Sequence, residues 1–254
     1  AVEQAKEDPW AEPEWYLLSY QKAMTASSSE EGREPSFATD ENIQTWWRAA
    51  GNQPGEWISM DLGEVKDVRA VQINFADDKI DAPLPGERQG ERYIDPSQHK
   101  TRWLLEASAD GTNYFVLEDK SNAETNLPHD FVVKEEGVQI RYLKLTVFEV
   151  PYSQNPCVSG LRVFGLGNGE KPTEPQYQAE RVGTMDMRIT IEPQADAVGY
   201  NVLWGFAPDK LYHSCMTFTA EQNIGALVEG ETVYVRVDAF NENGITEGTK
   251  VIKL

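Results

Sequence analysis

The chain has 254 residues, 40% of them hydrophobic and 10% aromatic, enough for two ordinary domains with real cores. Its formal net charge of −19 argues against nucleic acid or anionic lipid as a partner, because binding a polyanion needs a basic surface. Neutral glycans or a cationic partner suit it better, and no run approaches the about 18 apolar residues of a membrane span.

In chain order, residues 1–19 read as an incoming segment from an upstream domain. Pro9 and Pro13 rule out a continuous helix, and the apolar run Trp15-Tyr16-Leu17-Leu18 is expected to pack on something. From Tyr20 onward the pattern is that of short strands. Val71, Ile73 and Phe75 alternate with polar neighbours, and so do Leu105, Ala107 and Ala109 before an Asp110-Gly111 turn. Residues 141–147 and 161–165 continue the series. Between them, 77–102 carries prolines, glycines and charges with no periodicity, and a connection that long is usually functional or mobile. The stretch 169–176, rich in proline and polar residues, is expected to be a linker. Beyond it, 187–191, 200–204 and 233–237 alternate again. The two cysteines, Cys157 and Cys215, fall in different predicted domains, so a disulfide within one domain is not expected. The first residues have neither the basic nor the apolar segment of a signal peptide.

The richest stretch runs from Thr39 to Gly63. Asp40, Asn42 and Thr45 crowd short oxygen donors into a turn, Trp46 and Trp47 follow at once, and W-I-S-M-D-L-G comes at 57–63. With A-S-S-S at 26–29, E-A-S-A-D-G-T-N-Y at 106–114, R-Y-L-K-L at 141–145 and V-S-G-L-R-V-F-G at 158–165, this order resembles the discoidin family, also called coagulation factor 5/8 type C. The resemblance covers roughly 20–168 and implies an all-β, discoidin-like jelly-roll sandwich of the galactose-binding-domain type. G-Y-N-V-L-W-G at 199–205 and L-V-E-G-E-T-V-Y-V-R-V-D-A-F at 227–240 resemble a fibronectin type III domain, which implies a smaller immunoglobulin-like sandwich over 177–254. Ile191 and Val233 depart from the tryptophan and tyrosine usual in that family. The ordered pair is similar to the C-terminal accessory region of bacterial family 43 glycoside hydrolases of the xylosidase or arabinosidase type.

What the resemblance implies for sites can be carried over residue by residue. A structural calcium would take the Asp40 carboxylate, the Asn42 carbonyl, the Thr45 carbonyl and hydroxyl, and the Ser159 carbonyl. The family's closing glutamate falls on Gly160, which removes one carboxylate. A sugar would be met by loops at one end of the sandwich, where aromatic faces stack on C–H groups and polar side chains take hydroxyls. The candidates there are Trp46, Arg48, Arg88, Arg92, Tyr93, His99 and Tyr152. Arg48 stands where galactose binders carry a histidine. Trp47 and Trp57 are expected in the core.

Signals for catalysis are thin. His99, His129 and His213 lie far apart with no paired motif, a pairing of Cys157 with His129 is the one nucleophile arrangement left open, and the adjacent Glu30-Glu31 and Glu135-Glu136 read as solvated charge. The reading is therefore a non-catalytic, extracytoplasmic accessory region that binds neutral plant-type polysaccharide beside an upstream catalytic domain. The alternative is a structural brace for that domain with no sugar binding.

Overall fold

A computed structural model describes residues 15–80 and 98–254. The protein is all-β and divides into two compact units, 17–165 and a second made mainly of 166–254. Among the described residues no helix is long and apolar enough to cross a membrane.

The first unit contains β1 (Tyr16–Leu17, shared at its edge), β2 (Ala23–Ala26), β3 (Trp47–Arg48), β4 (Glu56–Phe75), β5 (Arg102–Ser108), β6 (Phe115–Asp119), β7 (His129–Glu149) and β8 (Cys157–Leu166). Its strands follow the order β1-β8-β4-β7-β5-β6, with β2 added to β4 and β3 to β8. Two strands hold it together. The antiparallel pairing of β4 with β7 breaks between Asp61 and Lys66 and again between Val68 and Ala70. Such irregularities bend strands and let them turn a corner between packed layers. Before the first break β4 pairs with β2 and with the end of β7, which in turn pairs with β5. After it, β4 lies beside β8, with Gly165 against Asp67 and Gly160 against Asn74. Gly63, at φ +91°, sits in the first break, where a side chain would be strained.

Alternation decides which side chains meet between the layers. Ile58, Met60, Leu62, Ile73, Leu105, Leu143, Leu145, Val158 and Leu161 point inward with Trp47 and Trp103 and are buried. Trp57, whose size and apolarity predict a place beside Trp47 in the core, does not join it there. It has the opposite parity to Ile58 and Met60, so it lies half-buried on the outer face. Of the apolar run at 15–18, Leu18 is buried, and its N–H donates to the Val163 carbonyl at 2.7 Å. Residues 1–14, the rest of the expected incoming segment, lie outside the described residues.

The second unit sets β9 (Tyr177–Arg181), β10 (Met187–Ile191) and β13 (Glu221–Ile224) in one sheet. The other holds β11 (Gly199–Gly205), β12 (His213–Thr217), β14 (Tyr234–Asn241), β15 (Gly244–Thr246) and β16 (Ile252–Lys253). Met187, Ile189, Ile191, Val202, Val235 and Val237 form its core. The stretch read as a linker is tied down within this unit. Gly167 N–H donates to the Glu242 carbonyl, Thr246 Oγ1 to the Pro172 carbonyl, and Thr249 N–H to Glu174.

Candidate functional site

At the loop end of the first unit the chain leaves a cavity of about 530 Å³. One wall is the end of β7 and the turn after it, Phe148–Ser153; the others are Asn52–Pro54 and Gln98–Lys100. The turn is sharp because Tyr152 and Ser153 are both left-handed, with φ of 60° and 50°. Two consecutive non-glycine residues in that region cost energy, and such strain is held in place by surrounding structure. Here Asn52 Nδ2 donates to the Ser153 carbonyl at 3.0 Å, while buried Gln154 donates to Asp77 at 2.7 Å and accepts from the Asp78 N–H at 3.1 Å. The turn thereby presents the Tyr152 ring to the cavity, 4.1 Å from the His99 ring and tilted 41° to it. Aromatic rings ringed by the amides Asn52, Gln53 and Gln98 suit a ligand with apolar faces and polar edges, while the lining charges Lys100 and Glu149 are paired with Glu124 and Arg102.

Of the residues expected to meet sugar, His99 and Tyr152 are brought together. Arg88, Arg92 and Tyr93 lie outside the described residues. Arg48 and Trp46 do not line the cavity, because both are consumed by ion pairs and hydrogen bonds inside the protein. Arg48 is 9% exposed and pairs with Glu30, and its Nε lies 4.0 Å from Asp78. Glu30 also takes Lys79, and Arg33 reaches Asp78 at 3.3 Å. The Trp46 indole N–H donates to Asp78 at 3.0 Å, with the Arg33 guanidinium 4.1 Å above its ring. Hydrogen bonding from Lys79, with Arg48 adding to it, holds the Glu30 carboxyl below its ordinary pKa. Cys157, opposite Arg48 across β3 and β8, is buried, and burial pushes its thiol up to about 12 despite the nearby arginine. A protonated thiol is a packing group, and His129 is engaged with Asn74 at 3.0 Å.

The turn expected to hold calcium is closed on itself. Asp40 accepts from the Asn42 N–H at 2.8 Å with one oxygen and from the Thr45 hydroxyl at 2.6 Å with the other. The Thr45 hydroxyl also lies 2.9 Å from the Asn42 carbonyl. The next carboxylate, Glu41, is paired with both Nε and Nη2 of Arg162, at 3.0 and 2.6 Å. The Ser159 hydroxyl turns to the Asn74 carbonyl at 3.2 Å. No group of three or more His, Cys, Asp or Glu gathers among the described residues. One carboxylate against a doubly charged ion does not fit a tightly held calcium, which wants six to eight oxygens.

Sequence reasoning missed Asn52, Gln98 and the Gln154 brace. The signal available was the proline-flanked 150–156 turn itself. No motif tied it to residues about a hundred positions earlier.

Comparison with family models finds a match within the first unit. The model of the F5/8 type C domain matches residues 23–84. No curated protein matches the chain. Among solved structures, it is similar to chitosan-binding module 1 of a chitosanase/glucanase from Paenibacillus sp. IK-5, at 18% identity and a TM-score of 0.45 over 59% of this chain and 99% of that one. Module 2 of the same enzyme, solved with chitotriose, is 17% identical over 58% and 99%, with a TM-score of 0.45. The module CBM32-4 of a Clostridium perfringens family 89 glycoside hydrolase, in complex with GlcNAc-α-1,4-galactose, is 13% identical over 61% and 98%, with a TM-score of 0.47.

Proposed function

We propose that the first unit is a non-catalytic carbohydrate-recognition module of an extracytoplasmic glycoside hydrolase. On this reading it binds neutral plant-type glycan and raises the effective concentration of an attached catalytic domain at its polymer. The observation that carries the reading is the loop-end cavity with its His99–Tyr152 aromatic pair and surrounding amides. The F5/8 type C match over 23–84 supports it, and so does the net charge of −19, which disfavours sulfated and uronic-acid glycans. The second unit is read as a fibronectin type III-like spacer, supported by its antiparallel sheets of three and five strands. A xylosidase or arabinosidase as the parent enzyme remains part of the same proposal.

The test is titration of arabino- and xylo-oligosaccharides and galactose, followed by calorimetry and chemical shifts. A shallow site predicts dissociation constants of about 0.1–1 mM. Heat that disappears in Tyr152→Ala supports the site; silence with every neutral sugar removes the reading. A bracing role is favoured by one feature of the second unit. Phe206, Tyr212, Met216 and Phe218 are each half or more exposed, and would supply apolar contacts to a neighbouring domain.

A further inference from the structure

The outer face of the first unit carries a second cleft, of about 300 Å³, lined by Thr25, Trp57, Ser59, Glu106, Tyr114 and Lys144. Register builds it. Thr25 lies opposite Ser59, Ser59 opposite Lys144, and Lys144 opposite Glu106, a row across β2, β4, β7 and β5. Side chains in such a row share one face and stand within reach of one another. Trp57, two residues along β4, lays its ring beside the row, and Tyr114 from the β5–β6 turn, 39% exposed, flanks it.

Two features mark this cleft. Lys144 and Glu106 are directly opposed and of opposite charge, an arrangement that normally closes into a cross-strand ion pair. Neither has an ion-pair partner among the described residues. The lysine instead holds its Nζ 5.2 Å from the centre of the Trp57 ring. The Trp57 indole N–H makes no hydrogen bond among the described residues either. Some other charges on the unit are paired, as Asp61 is with Arg141 at 2.8 Å and Lys120 with Asp130 at 2.6 Å. An aromatic floor, an unpaired carboxylate that accepts from hydroxyls, an ammonium that donates to them, and a second aromatic wall therefore face one open space.

We propose that this cleft is a second saccharide site, taking a pyranose unit of a neutral oligosaccharide with its C–H face on Trp57 and its hydroxyls on Glu106 and Lys144. One charge of each sign favours a neutral ligand over a polyanion or polycation. The proposal stands apart from the loop-end reading, since the two sites share no residue.

The experiment is a titration of the full chain with xylohexaose, cellohexaose, arabinohexaose and chitohexaose to about 10 mM, the range that a millimolar site requires. It is followed by ¹⁵N chemical shifts, with the Trp57 indole signal assigned through Trp57→Phe. With at least one sugar, the Trp57 indole and the Ser59, Glu106 and Lys144 amides should shift together. Glu106→Gln and Lys144→Met, substitutions on the sheet surface, should each weaken that response by about fivefold or more. Tyr152→Ala should leave it intact. No shift at Trp57 with any sugar overturns the proposal, as does a shift indifferent to both substitutions or one lost in Tyr152→Ala. Failure of the loop-end reading looks different: silence at His99 and Tyr152 while Trp57 responds.

Discussion

Around Arg48 and around Tyr152 the same kinds of residue, arginine or lysine, carboxylates and aromatics, are arranged to different ends. Near Arg48 the charges are met within the protein: Glu30 takes Arg48 and Lys79, and Asp78 takes Arg33 and the Trp46 indole. Near Tyr152 the charges are paired as well, Lys100 with Glu124 and Glu149 with Arg102, but the amides Asn52 and Gln154 hold a strained turn whose ring faces a cavity. The composition of a loop says that it can bind; which side chains the fold leaves facing open space says where. The first region is a polar clamp, and the second is the one proposed above to receive a ligand.

The sharpest way to break that contrast is Arg48→Ala. If the arginine clamps, its loss leaves Glu30 and Asp78 under-neutralised and should lower unfolding free energy by about 2 kcal/mol, less than the about 3–5 kcal/mol of a fully buried pair because Glu30 is partly exposed. Urea unfolding measures this. Sugar affinity of the folded protein should not change, and a selective loss of affinity would return Arg48 to the binding site. Tyr152→Ala is the converse. Affinity for a bound neutral glycan should fall at least about tenfold, about 1.4 kcal/mol, with the urea midpoint nearly unmoved.

Acid tests the clamp more weakly, together with the Asp61–Arg141 pair on the sheet. Lys79 and Arg48 hold the Glu30 carboxyl below its usual pKa, and hydrogen bonding from Arg141 does the same for Asp61. A depressed folded value stabilises above the unfolded pKa, about 4.3 for Glu and 3.9 for Asp, and that contribution is lost as pH falls through the folded value. The urea midpoint should therefore be flat above about pH 5 and drop below it, and Glu30→Gln with Asp61→Asn should flatten the drop. A midpoint that rises on acidification would contradict the assignment. The smallest effect is expected from chelator. With one carboxylate in the Asp40–Thr45 turn, EDTA should move the melting temperature by less than about 3 °C, the equivalent of about 1 kcal/mol for a unit of this size. A larger loss, reproduced by Asp40→Ala, would show that the turn holds an ion.

Much of the fold was legible because alternation is a local signal. Val71, Ile73 and Phe75 read as a strand and are one. Parity also held the answer for Trp57, since Ile58, Met60 and Leu62 fix the inward side and leave Trp57 with Ser59 and Asp61 outside. The size and apolarity of tryptophan weighed more than its position. The fate of Arg48 was not readable in the same way. Its partners lie 18 and 30 residues away along the chain, at Glu30 and Asp78, and only the folded loop end brings them together. The proline-rich stretch before Tyr177 announced irregular backbone but not its attachments, because Gly167, Pro172 and Glu174 bond to residues some seventy positions later.

The two long strands have a consequence for how the first unit comes apart. β4 and β7 each run through the corner between layers, with pairing from Glu56 opposite Val147 to Asn74 opposite His129. Neither layer owns its central strands, so neither can fray away while the other stays folded. Hydrogen exchange should find one cooperative block here rather than a ladder of partial openings. Pairing residues so distant in sequence must close a large loop before any reward is collected, which makes folding slow. An emerging chain exposes β4 well before β7 exists to cover it, and that interval is when the unit is most prone to aggregate.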